Sequence, residues 1–187
     1  RWGTDPGQTT QPTAIALDAD DRVFVTDEFM HNVSIFDRDG KFIERWGEFG
    51  TGDGQFNRPS GIAFDSEGNV HIVDHLNARV QKLAPDGSFI SSFGTFGTEA
   101  GQFNFPWGIS VDAEDGIWIA DWRNDRVQRF TPDGEFVSVL GSSGKNDGEF
   151  DRPSAVHVAS DGAVFVVDWR NDRVQVFGQD GSHSETL

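Results

Sequence analysis

Cysteine and tyrosine are both absent from the 187 residues. Without cysteine there is neither a disulfide framework nor a thiolate metal site. Without tyrosine there is no phenol for acid–base work. No apolar run is long enough to span a bilayer, and no signal peptide is visible. Basic residues are scarce: 15 Lys and Arg stand against 31 Asp and Glu, a formal charge of −16. A field of that sign repels phosphates, and no basic cluster breaks it, so no nucleic acid and no membrane is expected as a partner. Long helices are excluded as well, because Gly and Pro recur too often and no 3.6-residue periodicity is present. The chain opens on Arg1, partway into a repeat, which reads as a processed or excised piece. Its compartment is not legible.

What the sequence has instead is a ruler. Pro12, Pro59, Pro106 and Pro153 stand 47 residues apart. Asp27, Asp74, Asp121 and Asp168 keep the same step, as do Val33, Val80, Val127 and Val174. The turn pairs Asp39-Gly40, Asp86-Gly87, Asp133-Gly134 and Asp180-Gly181 follow it too. A fixed period of this length marks one supersecondary unit copied, each copy burying its apolar faces on its neighbours. The second copy shows the unit. Ser60–Asp65 is a first strand, Val70–Asp74 a second, Arg79–Leu83 a third and Phe89–Phe93 a fourth. Residues 75–78 form a polar connection, Pro85-Asp86-Gly87 a tight turn of the primed hairpin kind, and a Gly-rich stretch leads on to the next Pro. Four short antiparallel strands per copy predict an all-β propeller, with one blade per copy. The blades fall at 13–47, 60–94, 107–141 and 154–187, in a single array over 1–187. Short Asp-Gly turns share one face, and the longer, more varied loops share the other.

Two motifs carry a family resemblance. Gly-Gln-Phe-Asn-x-Pro-x-Gly-Ile occurs at 54–62 and 101–109. Asp-x-x-Asn-x-Arg-Val-Gln occurs at 74–81, 121–128 and 168–175. Together with the Asp-Gly turns they resemble the NHL repeat, over nearly the whole chain. The first copy is looser, with Asn32 where the others have Arg79, Arg126 and Arg173. NHL proteins are usually six-bladed propellers, so the resemblance implies four blades of a partial or assembled propeller. It also implies a binding scaffold. The family's RNA-binding members use a basic face, which this chain lacks. A related propeller, the peptidyl-hydroxyglycine amidating lyase, implies zinc-binding His, an Arg and a Tyr.

Repeating residues point to folding, and non-repeating ones to function. The pairs Asp74/Arg79, Asp121/Arg126 and Asp168/Arg173 recur, which predicts ion pairs that close the loops. After the recurrent Asp stand Glu28, His75, Trp122 and Trp169, then Phe29, Leu76, Arg123 and Arg170. Trp107 follows its Pro where the other copies have Thr13, Ser60 and Ser154. Trp107, Trp122, Arg123, Trp169, Arg170 and His75 are therefore the candidate binding residues, for a peptide or protein and secondarily a glycan. Packing of these indoles at the blade seam is the competing reading. His157 and Ser110 share an innermost-strand position with Ala16 and Ala63, which suggests a channel lining. No metal site is expected; the one stretch that invites calcium is Asp18-Ala19-Asp20-Asp21. The leading expectation is a non-enzymatic scaffold. The alternatives are a fragment of a propeller lyase or lactonase, and an excised or engineered repeat fragment with no ligand of its own. Four blades of a six-fold geometry predict apolar open faces and self-association.

Overall fold

The computed structural model describes residue 3 and residues 5–187. Pairing of Arg1-Trp2-Gly3 with the last blade, the alternative to assembly of several chains, rests on Arg1 and Trp2, which lie outside the described residues. The first blade is β1 (Pro12–Leu17), β2 (Val23–Asp27), β3 (Asn32–Phe36) and β4 (Phe42–Trp46). The second is β5 (Pro59–Phe64), β6 (Val70–Asp74), β7 (Arg79–Leu83) and β8 (Phe89–Phe93). Two short strands, β9 (Thr95–Phe96) and β10 (Gln102–Phe103), pair in parallel inside the Gly-rich connection. The third blade is β11 (Pro106–Val111), β12 (Ile117–Asp121), β13 (Arg126–Phe130) and β14 (Phe136–Leu140). A second parallel pair, β15 (Ser142–Ser143) and β16 (Glu149–Phe150), precedes the fourth blade. That blade is β17 (Pro153–Val158), β18 (Val164–Asp168), β19 (Arg173–Phe177) and β20 (His183–Thr186). Each blade is a four-stranded antiparallel meander in sequence order, and the described residues contain no α-helix. The chain divides into two compact units, Arg1–Ser92 and Phe93–Leu187, with two blades in each.

Two local expectations are revised. The polar connection after the second strand is a single 3-10 turn, at His75–Asn77, Trp122–Asn124 and Trp169–Asn171. A left-handed residue ends each turn: Ala78, Asp125 or Asp172, with φ of 52°, 51° and 51°. The Asp-Gly turn is not of the primed kind. In Ala84–Gly87 only Gly87 has positive φ, +84°, and its N–H donates to Ala84 O at 2.9 Å. Pro85 is locked near −65°, so the positive φ that a primed turn needs at that position is unavailable. The result is a turn followed by a glycine bulge, seen in the register shift before Phe130 in the equivalent hairpin.

Within each unit, alternate residues of one blade pack on the next. In the first unit Phe24, Val33, Ile35 and Trp46 meet Phe56, Ile62, Val70, Ile72 and Leu83. In the second, Trp118, Ala120, Val127 and Leu140 meet Phe150, Val156, Val158, Val164, Val166 and Phe177. The first strands run close together. A Cβ on Gly108 would lie 2.7 Å from Ala155 Cα, which explains the glycine two residues after the proline. Polar stitches cross the same seams: Thr26 Oγ1 donates to Ser60 O at 2.7 Å, and Val158 N–H to Ser110 Oγ at 3.1 Å.

The loop connections are held by a buried carboxylate at the end of each second strand. Asp121 is fully buried. It accepts hydrogen bonds from Asn104 N–H at 2.7 Å, Asn124 Nδ2 at 2.8 Å, Arg126 Nε at 2.8 Å and Gln128 Nε2 at 3.1 Å. Arg126 and Gln128 then donate to carbonyls of the Gly-rich loop, Gln102 O among them. Asp74/Arg79 and Asp168/Arg173 repeat this, each ion pair at 2.8 Å. Burial raises the Asp74 and Asp121 carboxyls above the ordinary range, and the hydrogen bonds pull against it. An Arg left alone in such a site has lost its counter-charge and two loops their anchor. Asp121→Ala should therefore cost about 3–5 kcal/mol in denaturant unfolding. A loss below about 1 kcal/mol, the level of a surface pair, would contradict this role.

A second carboxylate caps the opposite turns. Asp65 accepts from Asn69 N–H at 2.8 Å, Asn69 Nδ2 at 3.0 Å and Lys82 Nζ at 3.0 Å. Burial pushes its carboxyl up, but the hydrogen bonds from Asn69, Lys82 and His71 outweigh this and hold it at about 2. A folded-state value below the unfolded one of about 4 gives stability that is fully present above pH 4. That stability is lost as pH falls from about 4 towards 2. Asp65→Asn should lower stability at pH 7 by about 1–2 kcal/mol and flatten the acid limb of the stability–pH curve in that window. An unchanged acid limb would show that Asp65 does not set it.

Candidate ligand-binding site

The second unit gathers its non-repeating aromatics at one cluster of loops. Asp121 ends β12, and the 3-10 turn that follows presents Trp122 and Arg123. The turn is pinned from below: Arg123 N–H donates to Asn104 O at 3.0 Å, and Arg170 N–H to Asp151 O at 3.1 Å. Trp107 and Ser154 each stand one residue after a recurrent proline. Phe105 and Arg152 stand one residue before it, with φ of 57° and 59°. A left-handed non-glycine residue is uncommon and needs outside support. At Arg152 the support is Asp125, whose Oδ1 accepts the Arg152 N–H at 2.8 Å while Oδ2 accepts from Ser143 Oγ at 2.7 Å.

Trp107, Trp122, Trp169 and Ser154 line a cleft of about 300 Å³. The ring centroids of Trp107 and Trp122 are 6.5 Å apart, and those of Trp122 and Trp169 6.2 Å apart, tilted by 45° and 37°. Trp169 is 52% exposed. Three guanidiniums lie on the aromatic faces. Arg123 is 4.4 Å from the Phe105 centroid and 5.5 Å from that of Trp122. Arg152 is 4.5 Å from Trp122, and Arg170 is 5.9 Å from Trp169. Such stacking contributes about 0.5–1 kcal/mol each at exposed sites and orients the planar donors.

The five expected residues Trp107, Trp122, Arg123, Trp169 and Arg170 thus come together, and the structure adds Phe105, Arg152 and Ser154. Sequence reasoning missed Phe105 and Arg152 because neither is a Gly or Asn, the residue types that announce a left-handed backbone. The sixth, His75, belongs to the first unit, where it opens the turn after Asp74 and is buried. Ser110 is buried in the seam between β11 and β17, and His157 is exposed on β17. Asp18 is engaged by Arg22, whose Nε lies 2.6 Å from Oδ2, and also accepts the N–H groups of Asp20 and Arg22. Among the described residues no group of three or more His, Asp or Glu side chains is arranged to hold a metal ion.

A family described as a 6-bladed beta-propeller matches residues 8–94, and the NHL repeat matches residues 103–130. These are NHL-repeat propeller blades. No curated protein matches the chain at a significant level. Solved structures resemble it at low identity, which speaks for the propeller fold alone. One is a catalytically inactive virginiamycin B lyase from Staphylococcus aureus with quinupristin: 14% identity, TM-score 0.72, covering 94% of this chain and 55% of that one. Another is a gluconolactonase from Xanthomonas campestris: 16% identity, TM-score 0.70, covering 92% and 60%. A third is a nidogen/laminin complex: 20% identity, TM-score 0.75, covering 96% and 64%. The NHL chain thus spans a little over half the length of the lyase.

Proposed function

We propose that the NHL blades form a non-enzymatic scaffold that binds a peptide or protein segment at the tri-tryptophan cleft, with a glycan as the lesser alternative. The observation that carries this is the lining: three indoles and one hydroxyl, with no carboxylate, imidazole or amine among them. Such a surface supplies apolar area with a donor at the rim, the composition of interface hot spots, rather than a proton donor or nucleophile. The nidogen/laminin structure is of a protein–protein complex, which favours the same reading. Trp122→Ala with Trp169→Ala should abolish enrichment of peptides from a displayed random dodecapeptide library. The thermal midpoint should stay within a few degrees, since Trp169 is half exposed. A large drop in the midpoint with enrichment retained would make the rings packing rather than site.

A second reading concerns association between copies. On β17 and β18, Ala155, His157 and Val167 are exposed, whereas Ser110 and Ala120 at the positions of His157 and Val167 in the third blade are buried. On β1, Ile15 and Leu17 are 67% and 60% exposed, whereas their equivalents Ile62, Val156 and Val158 are buried. Within each unit the first kind of face is covered by the following blade and the second kind by the preceding one. The fourth blade of one copy and the first blade of another are therefore matched surfaces, and a head-to-tail contact follows. Light scattering should show mass rising with concentration, and Leu17→Glu with Val167→Glu should return it to one chain. A single-chain mass at all concentrations would overturn this reading.

A further inference from the structure

The peptide-binding reading leaves the ligand's chemistry open, and the three arginines narrow it. Arg123 and Arg152 both lie within 5.5 Å of the centroid of one ring, that of Trp122. Like charges gathered on one ring repel unless an anion joins them. Among the described residues neither these two nor Arg170 makes an ion pair or a side-chain hydrogen bond. Asp125 has one oxygen on Arg152 N–H and the other on Ser143 Oγ. By contrast, Arg22, Arg79, Arg126, Arg129 and Arg173 are each paired with a carboxylate. Three guanidiniums without a carboxylate partner are thus gathered at one cleft, each on the face of an aromatic ring. Each carries five N–H donors in a planar fork that matches a carboxylate.

Resting on that reading, we infer that the cleft recognises an acidic peptide segment, with an apolar side chain seated among Trp107, Trp122 and Trp169 and flanking Asp or Glu carboxylates held by Arg123, Arg152 and Arg170. The net charge of −16 opposes such a ligand at long range. At physiological salt that field is screened beyond about 8 Å, while contacts at the stacked guanidiniums are not. The chain's charge therefore slows encounter, and the local arginines decide what stays.

The test uses the full chain and the random dodecapeptide library, with a glycan array in parallel. Enriched peptides should carry Asp or Glu beside aromatic or aliphatic residues. The best of them, remade with Gln and Asn for Glu and Asp, should bind at least tenfold more weakly. Arg123→Gln, Arg152→Gln and Arg170→Gln together should weaken the acidic peptide by a similar factor and leave the Gln/Asn peptide unchanged. Enrichment of neutral or basic peptides, still lost in the double Trp variant, would overturn the acidic assignment while the peptide-binding reading stands. Failure to enrich any peptide over the double Trp variant would end both. Retention of uronic acid glycans alone would transfer the arginines to a carbohydrate ligand and overturn the inference.

Discussion

A buried carboxylate at the end of the second strand organises each blade. It is placed where three pieces of chain meet: the Gly-rich loop arriving before the proline, the turn leaving the strand, and the third strand returning. Asp74, Asp121 and Asp168 draw a backbone N–H from the first, an Asn from the second and Arg and Gln from the third. The first blade shows which part is dispensable. There Asn32 and Ser34 replace the Arg and Gln, and Asp27 accepts from the N–H groups of Thr10, Gln11, Phe29 and Met30 instead. The carboxylate stays while its partners change, so the essential quantity is the number of donors directed at a buried anion. A guanidinium is one way to supply them.

That constraint frees the positions around it. Once the loop and turn are tied to the same aspartate, the residues just after it and those flanking the proline no longer have to hold the backbone. They are where the copies differ. Rigid support beneath variable side chains is what a binding site needs, because a ligand then meets groups that do not have to be ordered on contact. Trp122 and Trp169 are carried on turns whose backbone N–H groups are fixed to the preceding loop, so the tilt between their rings is a property of the scaffold.

Most of the fold was legible because the 47-residue step fixes register. The second, third and fourth strands of the second copy run over the residues that the alternation predicts, Val70–Asp74, Arg79–Leu83 and Phe89–Phe93. What escaped was backbone conformation at residues without a matching propensity. Phe105, Arg152 and Ala78 adopt positive φ, the Arg152 N–H held by Asp125 Oδ1 and that of Ala78 by His75 O, and no residue type betrays that. The same gap hid Phe105 and Arg152 in the candidate site. Trp and Arg beside the recurrent aspartates could be read as surface groups on one face. Arg152, thirty residues along the chain from Trp122, is brought onto that ring only by the left-handed turn before Pro153.

The positions after the recurrent aspartate carry opposite surfaces in the two units. In the first, the residue after the aspartate is polar and buried, Glu28 or His75, and the next is apolar and exposed, Phe29 or Leu76. In the second, the order is an accessible indole and then an exposed guanidinium. The hydrogen bond beneath is common to the second and third blades: Leu76 N–H donates to Asn57 O as Arg123 N–H does to Asn104 O, each at 3.0 Å. In the second and third blades one backbone thus carries inverted polarity, while the aspartate before it holds the loop. The side chains after the aspartate can therefore change without a change in the interactions that hold the blade, so a residue repeated in every copy reports on folding.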